Sequence, residues 1–179
     1  MLTAEKKRKY MDKDYSLLEE GAPFQLINYD LVMSPAPSLL HQLILGEFYD
    51  TIKAFVKQND PFGLVVLSPI DIYFDEGNIY QPDMVYISKA TKEKIVKNKI
   101  EGAPDLIIEI LSPSNAYYDL RQKKDIYEKY GVKEYIIIDP LGENAEVHSL
   151  ENDVFILKQK AIKSEQLNSI LLPGLTFDI

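Results

Sequence analysis

Hydrophobic positions along the 179-residue chain change their period several times, and each change predicts an element. Residues 24–33 (FQLINYDLVM) predict a strand pair, or one strand bent at the turn-prone Asn28. Ser34-Pro35-Ala36-Pro37 cannot be regular structure, and Ser38 after it predicts the N-cap of a helix running to Gln58. At 100° per residue, Ile44, Leu45, Phe48, Ile52, Phe55 and Val56 form one stripe of that helix, with His41 at its centre. Residues 63–75 are strand-like, and Gly77-Asn78 signals a hairpin into a second strand over 79–88. Asp83 interrupts this second strand directly after Pro82, which cannot donate to a ladder and marks an edge or an irregularity.

The next unit is the one the chain is organised around. Residues 106–111 are nearly all apolar, as in a strand covered on both faces. Ser112-Pro113-Ser114-Asn115 breaks the run, and an amphipathic helix follows over 119–130, stopped by Gly131. A second covered strand spans 134–139, so a right-handed crossover between parallel strands is expected. Beyond it, 145–150 and 154–160 read as a hairpin, and the tail from Gln166 as a short helix and a strand.

Two charges violate this pattern. Glu109 lies inside the apolar run, and Lys123 falls at the middle of the buried stripe formed by Leu120, Ile126, Tyr127 and Tyr130. Burying an ionised group costs several kcal/mol unless it is paired or coordinated, so roughly this much must be returned by a partner. Lys124 lies about 100° away on the wheel, near the border of the stripe, where it can reach water. Asp119, one turn before Lys123, can form an i,i+4 pair with it.

Two Pro-Asp pairs, Pro82-Asp83 and Pro104-Asp105, are candidates for a carboxylate partner to Glu109. Asp105 shares its strand and face but stands roughly 13 Å away, too far for one ion with oxygen ligands at about 2.1–2.6 Å. It reads as a strand-entry residue. Asp83 comes from another strand and can converge on Glu109. An Asp, a Glu and a Lys on two strands and a neighbouring helix suit phosphodiester hydrolysis. The carboxylates would hold Mg²⁺ or Mn²⁺, and the lysine would orient or deprotonate water, or neutralise the phosphorane. His41 and Asp119 are secondary candidates.

Composition narrows the alternatives. Apolar residues make up 46% and charged residues 27%, ordinary for a globular protein, and the whole of 1–179 is expected to form one domain. Within it, 1–13 is expected to be a flexible or weakly packed extension, its Lys6-Lys7-Arg8-Lys9 run a solvated end. No apolar run approaches the roughly 18 residues needed to span a bilayer, and no secretory signal is visible, so no membrane partner is expected. The absence of cysteine fits a cytoplasmic protein, and with two histidines it argues against zinc. Neither a glycine-rich phosphate loop nor a nucleophile elbow occurs. The net charge of −8 opposes simple electrostatic binding of nucleic acid, with the lysines of 89–101 as a local counterweight.

One ordered set of motifs carries a resemblance. It comprises Pro35-Ala36-Pro37-Ser38 with His41, Gln81-Pro82-Asp83, Gly102-Ala103-Pro104-Asp105-Leu106 through Glu109, and Ser112-Pro113-Ser114. Asp119, Lys123, Tyr127, Gly131-Val132, Glu134-Tyr135 and Asp139-Pro140 complete it. Over residues 14–179 the chain resembles the Uma-two family of restriction endonucleases, within the PD-(D/E)XK nuclease superfamily. The resemblance implies an α/β (α+β) fold, a restriction-endonuclease-like mixed four-stranded sheet flanked by helices, with additional N-terminal and C-terminal strands. It also implies Asp83 and Glu109 as metal ligands. In the superfamily's plain motif the lysine lies two residues after the acid, but that position here is Leu111, and the family pattern moves the lysine to Lys123. Thr and basic residues common after Ser-Pro-Ser are replaced by Asn115, Ala116, Tyr117 and Tyr118.

The expected function is a metal-dependent endonuclease that hydrolyses DNA, with a homodimer as the simplest way to cut both strands. The other reading is a catalytically inactive nuclease-fold protein that binds nucleic acid or a protein partner. The acidic charge and the missing basic run after Ser114 favour it.

Overall fold

The structure is a computed structural model that describes residues 8–19, 21–112 and 116–179, with the side chains of 116–121 outside the description. In chain order the elements are α1 (Asp12–Tyr15), β1 (Phe24–Ile27), β2 (Asp30–Met33), α2 (Leu39–Asn59), β3 (Leu64–Leu67) and β4 (Ile72–Asp75). Next come β5 (Asn78–Tyr80), β6 (Met84–Ile87), α3 (Lys89–Ile95), β7 (Ile100–Glu101), β8 (Leu106–Ile110) and α4 (Ala116–Tyr130). The chain closes with β9 (Glu134–Asp139), β10 (Asn144–Glu151), β11 (Val154–Ile162), β12 (Gln166–Asn168) and β13 (Thr176–Asp178).

A six-stranded sheet in the order β11-β10-β9-β8-β6-β3 forms the centre of this mixed α+β fold. Strands β8 and β9 are parallel, as the crossover pattern predicts, and the other pairs are antiparallel. Alternation along β8 sends Ile108 and Ile110 to one face and Ile107 and Glu109 to the other. The first face packs against Leu45, Phe48, Ile52 and Val56 of α2. The second meets Ile126 and Tyr127 of α4, together with Ile72, Phe74 and Tyr80 from a second sheet. That sheet has the order β2-β1-β5-β4-β7 and contains the N-terminal strands. β1 and β2 are a hairpin whose turn residues Asn28 and Tyr29 have φ of 48° and 67°, the left-handed conformation that two-residue hairpin turns require.

Two predicted strands are shorter than expected. The run 63–75 divides into β3 and β4 around Ser68-Pro69, and the run 79–88 into β5 and β6 around Gln81-Pro82-Asp83. Each proline removes a ladder donor, so the two-stranded ribbon breaks at the same level on both sides. One half pairs as β3–β6 in the central sheet, and the other as β4–β5 in the second sheet. The joint is closed by Ser68 N–H donating to the Asp83 carbonyl at 2.9 Å and by Gln81 Nε2 donating to Asp71 Oδ1 at 2.9 Å.

The short helix expected in the tail is replaced by the strand pair β12–β13. Phe177 stacks on Phe48 of α2 with ring centroids 4.4 Å apart, which pins the end of the chain to the core. The buried Glu134 carboxylate accepts from Ser169 Oγ (2.6 Å), Ile170 N (2.6 Å) and Leu171 N (2.8 Å). Those amides therefore have a partner without forming a helix. Near the start of the chain, Tyr10 N–H donates to Tyr29 O and Asp12 N–H to Glu76 O, while Lys6 and Lys7 lie outside the described residues. Among the described residues no helix is long and apolar enough to cross a membrane.

Candidate active site

The break in the ribbon places Asp83 across from Glu109. Strands β6 and β8 pair Met84 with Ile108 and Val85 with Ile107, so the next position beyond the ladder sets Asp83 opposite Glu109. Directly opposed residues of an antiparallel pair have Cβ atoms about 4.5–5.5 Å apart, on one face of the sheet. Because Asp83 lies past the last paired residue, its side chain is free to accept from the neighbouring backbone. Its Oδ2 takes the Ile110 N–H at 2.8 Å and lies 3.2 Å from His41 Nε2.

Glu109 points from β8 toward α4, where Lys123 and Tyr127 lie one turn apart. Lys123 Nζ stands 3.0 Å from both Glu109 oxygens, and the Tyr127 hydroxyl donates to Oε1 at 2.7 Å. Glu109 and Lys123 are each 6% exposed and His41 is 7% exposed. Burial pushes the Glu109 carboxyl up to about 7; Lys123 opposes that shift, and the negative charge of Asp83 adds to it. The hydrogen bond to Asp83 raises His41 above its ordinary value against the pull of burial. Tyr127, enclosed by Phe74, Tyr80 and Tyr135, is raised by burial and by the Glu109 charge.

These groups open into a cleft of about 520 Å³. Asp83, Glu109, Lys123 and His41 all line it, and the proline-rich segment 34–38 forms one wall. Lys123 is the one lysine or arginine among the described lining residues. The predicted set Asp83, Glu109, Lys123 and His41 is thus in one place, whereas the Asp119 side chain lies outside the described residues. Asp105 is elsewhere: it accepts from Ser88 N (2.7 Å) and Thr91 Oγ1 (2.9 Å) and is paired with Lys133. Lys124, expected to reach water, is half-buried with Nζ 3.2 Å from His148 Nδ1.

Two contributors escape the sequence reading. Tyr127 belongs to the apolar stripe by its ring, yet its hydroxyl must find an acceptor when buried, and its position four residues after Lys123 is the signal. The Ile110 amide is a backbone donor freed because β6 begins only at Met84, so the ladder with β8 stops at Ile108, which no side-chain pattern reveals.

The donor set fits some ions and not others. Among the described residues no group of three or more His, Cys, Asp or Glu side chains could hold a metal ion, so Asp83 and Glu109 would supply two ligands and leave the rest of a shell to water or substrate. Two carboxylates in a polar cleft suit an ion that keeps several waters and completes its shell with substrate phosphate, as Mg²⁺ does.

The Uma-two family model, described as "Putative restriction endonuclease", matches residues 12–179. No curated protein matches the chain. Among solved structures, one from Anabaena variabilis described as "a putative nuclease" is similar, with a TM-score of 0.74 at 19% identity over 93% of each chain. At that identity the likeness concerns the fold.

Proposed function

Because the chain belongs to the Uma-two family, we propose that the cleft over Asp83, Glu109 and Lys123 is the active site of a Mg²⁺- or Mn²⁺-dependent DNA endonuclease. The observation that carries this reading is the meeting of two carboxylates and one ammonium, from β8, α4 and the β5–β6 joint, in a single cleft. Asp83 and Glu109 would hold the ion. When bound, it supplies positive charge to the phosphate and lowers the pKa of a coordinated water.

The chain's own residues supply the rest. Lys123 brings a charged donor into the cleft, where it can hold a water or a phosphate oxygen. Its contact with both Glu109 oxygens keeps that ammonium over the cleft rather than in solvent. Tyr127 fixes the Glu109 rotamer from behind. Burial of the pair keeps bulk water from screening these charges. A homodimer would present two such clefts to the two strands of a duplex.

Cleavage of plasmid and single-stranded DNA, assayed across Mg²⁺ and Mn²⁺, tests the proposal with Asp83→Asn, Glu109→Gln and Lys123→Ala as controls. Metal-dependent cleavage lost in all three variants, each still folded by circular dichroism, is the expected result. Cleavage that survives Glu109→Gln would refute the assignment. Metal-dependent nucleic-acid binding without cleavage in the wild type would instead favour a non-catalytic descendant of the fold.

A further inference from the structure

Among the described residues, Asp83 carries two donors on one oxygen and none on the other. Ile110 N–H and His41 Nε2 both meet Oδ2, at 2.8 and 3.2 Å, and among the described residues no hydrogen bond reaches Oδ1. A carboxylate only accepts, so the ring nitrogen facing it carries the proton. The other ring nitrogen, Nδ1, is buried and has no hydrogen-bond partner among the described residues. A side chain present only to fill this space would do better without that orphaned polar atom.

The scaffold behind the ring is rigid. His41 lies in the first turn of α2, its own N–H held by Ser38 Oγ at 3.2 Å. The same face of the helix continues through the buried Leu45, Phe48 and Ile52. The imidazole is thereby fixed against a wall of the cleft, and a ring so anchored can hold one carboxylate rotamer against others.

We propose that His41 is a positioning residue: its Nε2–H, with the Ile110 amide, engages Oδ2 of Asp83 so that Oδ1 is presented to a divalent cation shared with Glu109. The inference rests on the metal-site reading above. It separates the two ring nitrogens, because only Nε2 faces Asp83. A glutamine amide reaches about as far from the backbone as Nε2 and can donate to Asp83. An asparagine amide falls short, near where Nδ1 lies.

Mn²⁺ titration of the full chain, followed by the paramagnetic resonance of the free ion, reads affinity without any nuclease assay. In H41N the affinity falls about 10- to 100-fold, the usual cost of losing a residue that orients a metal ligand, and in H41Q it stays within about threefold of wild type. If H41N fails to fold, H41L, which keeps an apolar filler, is read in its place. Wild-type affinity in H41N, or an equal loss in H41N and H41Q, overturns the positioning role while leaving the metal site intact. Absence of Mn²⁺ binding that depends on Asp83, shown by comparing wild type with D83N, overturns both.

Discussion

Lys123 Nζ stands equidistant, at 3.0 Å, from the two carboxylate oxygens of Glu109, and the pair is enclosed between β8 and α4. Such a pair places a conflict between stability and chemistry on two residues. Each charge was costly to bury, and each is tolerable only because the other is there. Lys123→Met should therefore destabilise the protein by about 3 kcal/mol, the low end of the range for breaking a buried pair. The low end applies because Glu109, raised to about 7, can take up a proton when its partner is lost. Adding Glu109→Gln to that variant keeps an acceptor for Tyr127 and should restore most of the loss. Urea unfolding of the single and double variants measures this. A double variant no more stable than Lys123→Met would show that the two charges are not coupled.

Asp105 invites the opposite outcome. It belongs to a Pro-Asp motif, as Asp83 does, yet it is only 2% exposed and wholly engaged in joining elements. Its carboxylate holds the Ser88 amide and the Thr91 hydroxyl at the start of α3, and pairs with Lys133 at the entry to β9. Burial alone would raise its pKa, but Lys133 and these donors hold it below the ordinary carboxylate value. Asp105→Ala should cost about 3 kcal/mol of stability, because it strands several donors. It should leave Mn²⁺ affinity unchanged in the folded protein. Loss of Mn²⁺ binding in a folded Asp105→Ala protein would move this residue into the site.

Most of the central unit was legible because its signals are local. The strand–helix–strand order of 106–139, the charge misplaced at Glu109 and the wheel position of Lys123 each follow from the period of a single element. The same holds for the turns at Asn28 and Gly77-Asn78. What could not be read was long-range. The ribbon of 63–88 looks like one hairpin, and while Asp83 reads as able to converge on Glu109, only pairing shows that the ribbon leaves one sheet for another at Pro82 and gives the register that sets the two opposite. The tail reads as a short helix and a strand, but Glu134, 35 residues before Ser169, captures its amides. The angle of Lys124 on the wheel points to water, but it takes no account of β10 packing beside α4 and bringing His148 to it. The site residues were accessible as chemistry, whereas the contacts that orient them were matters of topology.

His148 offers a test of pH dependence away from the cleft. It lies buried on β10 between Lys124 of α4 and Glu146 of its own strand, with Tyr135 and Phe155 beside the ring. Burial lowers its pKa below 6.5, and the Lys124 ammonium adds to that, against the opposing effect of Glu146. In the folded protein the neutral ring can accept from Lys124 at Nδ1 and donate to Glu146 at Nε2. The unfolded chain therefore binds the proton more readily than the folded one, and stability rises with pH across this window. The contribution is present above the unfolded value of 6.5 and is lost as pH falls below it toward the lowered folded value. Between about pH 7.5 and about pH 5 the wild type should lose more unfolding free energy than His148→Gln, which has no proton to gain. Urea unfolding of both proteins at the two pH values measures the difference. Parallel losses would mean that neither burial nor the Lys124 contact holds the ring neutral in the folded protein.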